Sequence, residues 1–281
     1  MTAVPGLVAV LLGFLAVQGG GATAPFPAPE EFARKVRHAL QLDADLQKDF
    51  VYLERRRDVR ISMLGKVSIG PLRTFEVYPS DQPGGTYKRL IEIDGNPLPP
   101  AELARRDAEH ERDLRTEAAR ARRETGAQRA ERQRKAEEER RERNAILDDA
   151  VAVFEPAFAG RDRLDGRSVL VVDLNPRARA RPGTREGRWM KQFRGRIWVD
   201  EAEYQIVRLD MHAFEDVTIG WGIIGRVHKD SRAVFSRRRF ENVWLPAEST
   251  YEASGRTLLF RPFKFSVTAT YSNYRRRMTN P

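Results

Sequence analysis

The sequence predicts an α+β fold: one long antiparallel meander of ten or more strands, interrupted by helices, in which so large a sheet must curl or close and helices cover its concave face. Three observations predict it. Runs with apolar residues at alternate positions occupy residues 50–93 and return after residue 160, the period of a half-buried strand. A charged helical block separates the two sets. The last run, RPFKFSVTATY, sets Phe263, Phe265, Val267, Ala269 and Tyr271 on one face and Lys264, Ser266, Thr268 and Thr270 on the other, as in a sheet with one wet and one buried face.

The elements follow in chain order. Val4 to Val17 carries no charge and leads to the small residues Ala22-Thr23-Ala24. It is shorter than the ~20 residues of a membrane span and suits the apolar core of a secretory signal. Residues 1–24 are therefore expected to be a signal peptide, and 25–281 a single domain. EEFARKVRHALQLDADLQ then reads as a helix, with Glu30 and Glu31 at its positive end and Phe32, Val36, Ala39 and Leu42 on one face. FVYLERRRDVRISMLGKVSIG reads as two short strands, PLRTFEVYPS as a third and TYKRLIEIDG as a fourth, stopped by Asp94-Gly95-Asn96 and the prolines that follow.

Residues 101–145 hold 14 Arg or Lys and 12 Asp or Glu. Glu131–Lys135, Lys135–Glu139, Glu137–Arg141 and Glu139–Arg143 are spaced four apart and brace a helix by ~0.2–0.5 kcal/mol each. Gly126, after Thr125, is expected to divide it. With no heptad stripe a coiled coil is a poor reading, and the interleaved acids leave little net field for nucleic acid. This is a solvated helical excursion. NAILDDAVAVFEPAF restores an amphipathic helix, with Ile146, Val151 or Ala152, Phe154 and Phe158 towards a core. GRSVLVVDLNP is a strand with Val169, Val171 and Asp173 on one face and Leu170, Val172 and Leu174 on the other. PRARARPGTREGR reads as a turn-rich basic loop, GRIWVDEAEYQIVRLDM as a hairpin, and further strands run to the end.

Three pieces, Gly195-Arg196 leading into Ile197-Trp198-Val199-Asp200, the return strand Ile206-Val207-Arg208-Leu209, and Val243-Trp244-Leu245-Pro246, together with the final YSNYRRR, give the chain an order that resembles exported bacterial proteins of the outer-membrane lipoprotein carrier and sorting (LolA-like) superfamily. The resemblance covers roughly Phe50–Pro281 apart from the charged excursion. It implies a strongly curved, half-open antiparallel β-barrel of about eleven strands with helices as a lid. It also implies an apolar cavity for acyl chains, and a periplasmic or otherwise exported location with the outer membrane as one address.

Composition narrows the chemistry. The chain has 281 residues, a formal charge of +10, no cysteine and four histidines. Disulfides, thiolate catalysis and thiolate metal sites are excluded, and no HExxH pair occurs. Asp148 and Asp149 are adjacent, so on a helix they diverge, and the glycines around Trp221 match no phosphate loop. Neither an enzyme nor a cofactor is expected. The candidate cavity residues are Trp198, Trp221, Trp244, Phe263, Phe265 and Tyr271, which in a sealed sheet would simply be core. The candidate headgroup or surface residues are Arg237, Arg239, Arg275 and Arg276, which would otherwise be exposed positions on the wet face. The expected partners are a lipid or acylated protein, an anionic membrane surface or an envelope protein, with no nucleic acid. The alternative is a protein-interaction or structural envelope module with a packed core, recognising its partner through the charged helices.

Overall fold

The computed structural model describes residues 25–62, 66–79, 86–219, 225–257 and 261–277. The expected signal peptide and Trp221 lie outside them. Helix α1 (Pro29–Leu46) leads through a 3-10 turn (Gln47–Asp49) into β1 (Phe50–Ile61), β2 (Val67–Ile69), β3 (Arg73–Tyr78), β4 (Tyr87–Ile93) and β5 (Asn96–Pro97). Two long helices follow, α2 (Pro100–Arg123) and α3 (Gly126–Val153). Then come β6 (Phe154–Leu164), β7 (Arg167–Pro176), α4 (Arg185–Met190), β8 (Phe193–Asp200) and β9 (Ile206–Ala213). The remaining strands are β10 (Val217–Ile219), β11 (Gly225–Val227), β12 (Arg232–Phe240), β13 (Val243–Thr257) and β14 (Arg261–Arg276).

Among the described residues these strands form one antiparallel sheet. Its main path is β5-β4-β3-β1-β14-β13-β12-β9-β8-β7-β6, with β2 on β1, β11 on β13 and β10 on β11. The path is open: β5 and β6 are its two ends and do not pair with each other. This corrects the expectation of a strongly curved, half-open barrel with helices in its concavity. The α+β class and the large antiparallel sheet are present, but the sheet neither closes nor curls strongly. Open sheets of this width occur when their edges are blunted. Here β5 is two residues long and contains Pro97, while β6 carries Pro156 and a register shift between Phe158 and Gly160. Proline lacks the N–H that a further strand would need.

Local chemistry accounts for the turns and helix ends. Asp94-Gly95 and Asp165-Gly166 all have positive φ (50°, 81°, 48° and 78°), the paired left-handed conformation of two-residue hairpins that favours Asp-Gly. They close β4–β5 and β6–β7. Thr125 divides the charged block as expected: its Oγ1 accepts from the Gln128 N–H and Gln128 Oε1 accepts from the Thr125 N–H, a capping box that starts α3. Three elements differ from expectation. Residues 50–61 form one strand, because every residue of it finds a partner on β14, β3 or β2. The helix expected to reach Phe158 stops at Val153, and Phe154–Leu164 pairs with β7. The loop 177–190 contains α4, capped by Thr184.

Helix α1 lies across β6–β9. Phe32 and Val36 are buried with Leu170, Val172, Ile197 and Val199, and Phe158, Leu174, Ile206 and Leu209 pack around them. Each such side chain contributes about 1.5–3 kcal/mol on burial. The stripe of α1 does not continue to Leu42, which is 57% exposed, but to Asp43, which is 3% exposed. Asp43 forms a buried ion pair with Arg237 of β12, itself 6% exposed. Around the pair, the Trp244 N–H donates to Asp43 Oδ1 (3.2 Å), and Gln47 Nε2 donates to Asp43 Oδ2 (2.8 Å) and to the Trp244 carbonyl (2.9 Å). Arg237 donates to Gln205 Oε1 and the Trp244 carbonyl (both 3.0 Å), and Gln205 Nε2 donates to the Ala39 carbonyl (2.8 Å). Burial pushes the guanidinium down to about 10, so it remains a cation at neutral pH.

Arg237→Leu strands Asp43 as an unpaired buried charge. It is expected to lower the unfolding free energy by about 3–5 kcal/mol in urea titration, whereas Leu42→Ala on the same helix stays within about 0.5 kcal/mol. Equal small effects from both would show that the pair does not hold α1.

Candidate functional site

The α1 face of the sheet is the apolar one, and two helices cover only part of it. Where α1 meets the end of α3 they leave an apolar pocket of about 110 Å3. Phe32 and Val36 of α1, Leu147 and Val151 of α3, and Leu174 and Ile197 of the sheet line it, and Arg37 is the one charged residue at its wall. Two polar bridges span the helix seam: Arg37 Nε donates to Asp148 Oδ1 (2.6 Å), and Gln41 Nε2 donates to Asn144 Oδ1 (2.7 Å). The Asp148 side chain is well exposed and that of Arg37 partly so.

Behind the pocket, Asp149 ties α3 to the 177–190 segment. Its carboxylate accepts from the Gly183 N–H (2.9 Å), the Thr184 N–H (2.7 Å) and the Thr184 hydroxyl (2.6 Å). Gly187 permits this approach, since a Cβ there would lie 2.3 Å from Asp149 Oδ2. Burial acts to raise the Asp149 carboxyl, but the hydrogen bonds from Thr184 and Gly183 outweigh it and hold the group below its ordinary range. Asp148 and Asp149, about 100° apart around α3, therefore have separate tasks, one at the seam and one in the loop clamp.

Beyond α1 the same face is covered unevenly, with Met211, Ser249 and Ala269 on it still buried. Antiparallel register places Leu209, Phe235, Ser249 and Ala269 in one row across β9, β12, β13 and β14, and Met211, Ala233, Tyr251 and Val267 in the next. Directly opposed residues share a face. Leu209 packs under α1, whereas Tyr251 is 45% and Phe265 36% exposed.

The residues singled out from sequence fall in several places. Phe263, Phe265 and Tyr271 lie along this face on β14, with the rings of Phe263 and Phe265 stacked at 5.8 Å. Tyr271 meets the Tyr52 ring at 5.8 Å and sits 3.2 Å from Ser249 Oγ. Trp198 and Trp244 share a separate cluster with Val169 and Val207, and Val169 alternates with the α1-facing Leu170. Trp244 Nε1 donates to Glu203 Oε2 (2.7 Å). Arg237 is buried in the pair with Asp43. Arg239 reaches Glu203 (2.8 Å), Arg275 reaches Glu76 (2.6 Å), and Arg276 reaches Glu241 (3.0 Å) while lying over the Phe50 ring. The pocket residues Phe32, Val36 and Leu174 were legible as apolar faces. Their convergence with Leu147 and Val151 was not, because it depends on where the charged excursion returns. Among the described residues no three His, Asp or Glu side chains are grouped to hold a metal ion, and no helix is long and apolar enough to cross a membrane.

A depressed carboxyl contributes stability above its unfolded pKa and loses it as pH falls through the lower folded value. The Gly183 and Thr184 amide resonances are therefore expected to keep their hydrogen-bonded shifts at pH 4 and to move only below the ordinary aspartate value of about 3.9. Asp149→Asn should loosen the 177–190 segment at neutral pH. A transition at the ordinary value would show that the clamp does not favour the carboxylate.

No protein-family model and no curated protein matches the sequence. Solved structures do. The chain is similar to a putative outer-membrane lipoprotein-sorting protein domain from Vibrio parahaemolyticus, at 8% identity and a TM-score of 0.33 over 89% of this chain and 95% of that one. It is similar to a DUF1329 family protein from Desulfovibrio piger, at 9% identity and 0.31 over 91% and 96%. The third is a LolA superfamily protein from Nitrosomonas europaea, at 7% identity and 0.27 over 91% and 96%. The likeness to LolA-like proteins is thus one of distant structure at low identity, and the functional reading rests on this chain's own residues.

Proposed function

We propose that the chain is an exported, non-enzymatic binder of a lipid or an acylated molecule, acting in the periplasm or at the outer membrane. The observation that carries this reading is the apolar pocket at the α1–α3 seam, opening off a sheet face that the helices leave partly unroofed. Size decides how it would work. An apolar cavity of about 150 Å3 binds one benzene ring, so a pocket of about 110 Å3 takes only a short stretch of an acyl chain until a helix moves. Helix α1 is held by the buried Asp43–Arg237 network, whereas α3 meets it through two partly exposed bridges. The moving part is the stretch of α3 ahead of Asp149, whose clamp and the buried Val153 fix the helix end.

Each methylene taken into the pocket contributes about 0.8 kcal/mol, and a typical hydrogen bond contributes a net ~0.5–1.5 kcal/mol. A few methylenes therefore offset the loss of the Arg37–Asp148 and Gln41–Asn144 bridges. Arg37, once released from Asp148, would be a cation at the mouth for an acidic headgroup. Phe263, Phe265 and Tyr271 would receive the rest of a long chain, and the exposed Arg275 and Arg276 would serve at an anionic surface.

Native mass spectrometry of chain purified without detergent, with lipid extraction of the same sample, tests this. A stoichiometric adduct of acyl-lipid mass is expected. Ala150→Trp, which fills the pocket, should abolish it, and Phe265→Asp should weaken it with the melting temperature unchanged. A bare mass that incubation with fatty acids and lysophospholipids does not alter would overturn the proposal.

A further inference from the structure

The face of the sheet opposite α1 carries a groove of about 510 Å3 on β7, β8, β9 and β12, within the size range of small-ligand sites. Cross-strand register sets Arg194 opposite His212, and His212 opposite Arg232. Arg232 faces Glu252 of β13 on its other side, but neither Arg194 nor His212 has a carboxylate directly across from it, an arrangement that costs stability in a sheet unless something offsets it. The next row supplies the nearest acids, Asp173 and Asp210. Both are already engaged: Arg196 grips Asp173 (2.6 and 3.1 Å), and Arg232 grips Asp210 (2.8 and 2.5 Å). Arg232, beside Asp210, holds that carboxyl below its ordinary range.

Two cations are left over. Arg194 lies over the Phe214 ring and uses only Nε, which donates to His212 Nε2 at 3.2 Å. Arg208 lies over the Trp198 ring at 5.3 Å. Among the described residues neither forms an ion pair. Their terminal nitrogens, with the Asn175 amide at the groove wall, are donors without a strong acceptor. Arg194 and Arg232 stand two strands apart, about 10 Å along the hydrogen-bonding direction, so two such long side chains can converge on one small anion over His212.

We infer that this row is a binding site for a phosphoryl group, with Arg194 as its principal donor, Arg232 and His212 beside it, and Arg208 and Asn175 at the rim. A tetrahedral phosphoryl group, singly charged in a phosphodiester and close to doubly charged as free phosphate, offers the forked donors of arginine more acceptor directions than a lone carboxylate does. The phosphoryl group could belong to free phosphate or to a lipid headgroup. The site is on the other face from the acyl pocket and does not rest on the lipid-binding reading.

The test is calorimetric titration of the full chain with inorganic phosphate at low ionic strength, with chloride matched as the control, while the His212 ring resonances are followed by NMR. Saturable binding that moves the His212 signals is expected, and Arg194→Gln should weaken it about tenfold or more, the loss of one charge-assisted contact. His212→Gln should weaken it less. Arg277→Gln, distant from the groove, should leave it unchanged. Vesicles containing phosphatidylglycerol, compared with phosphatidylcholine alone, separate the sources: capture lost in Arg194→Gln assigns the site to a headgroup, and binding of inorganic phosphate alone assigns it to the free anion. Absence of saturable binding in both arms, or binding that survives Arg194→Gln at full strength, overturns the assignment.

Discussion

The buried ion pair between Asp43 and Arg237 is the interaction on which the arrangement of this protein depends. A helix laid over a sheet by apolar contacts alone has many nearly equivalent positions, since methyl groups pack acceptably in more than one register. A charged pair removed from water has one. If α1 slid or rolled away, two charges and the Trp244 and Gln205 groups that complete their shell would lose their partners inside a low-dielectric interior. The pair contributes less to net stability than its strength suggests, because both ions were desolvated to make it. Its effect is on uniqueness: it sets where α1 lies, hence which part of the apolar face is covered and which is left open.

That pair also shows where sequence reasoning stops. The apolar stripe of α1 was readable as Phe32, Val36 and Ala39, but Leu42 and Asp43 both extend it within the tolerance of a helical period. Hydropathy chooses the leucine. The structure chooses the aspartate because Arg237 waits opposite, and Arg237 stands in a run of three arginines in which nothing local separates a buried member from its exposed neighbours. Arg237 continues the alternation of Ala233 and Phe235 on β12, and the register shift beside it is taken up by Ala247 on β13. Strands were legible where alternation was clean, as in β7, the β8–β9 hairpin and β14. The strand at Phe154–Leu164 was hidden because FEPAF also fits a helical period. The Asp165-Gly166 pair was the available sign of a hairpin there.

Closure of the sheet was the larger misjudgement, and its cause is physical. Strand number argues for curling only if the edges are otherwise unprotected. Here proline, brevity and a register shift protect them, and those features belong to single residues rather than to a periodic pattern. The charged helices belong to the same account. They link β5 to β6, the two free ends of the sheet, and no residue of α2 is buried. Helix α2 touches down through a two-pronged Arg89–Asp107 contact (2.6 Å each) and the stacking of His110 on Tyr87 at 3.5 Å, and α3 through Asn144, Asp148 and Asp149. A connection that must span an open sheet through solvent gains nothing from an apolar stripe. Its balanced charges keep it helical through i,i+4 pairs without making it adhesive.

The consequence is an uneven distribution of local stability. Regions with few buried contacts open at a fraction of the global free energy. The core under α1 is held by buried side chains and charge-assisted bonds. The α2–α3 connection is held at its two feet, by polar contacts reachable by water at Asp107 and Asp148 and by the buried Asp149 and Val153 at the end of α3. The capping box at Thr125 gives α3 its own N-terminus, separate from the end of α2. The pocket, the unevenly covered face and the α1–α3 seam coincide on one side of the sheet. The opposite side carries the arginine rows, joined by the partly exposed Arg196–Asp173 and Arg232–Asp210 pairs.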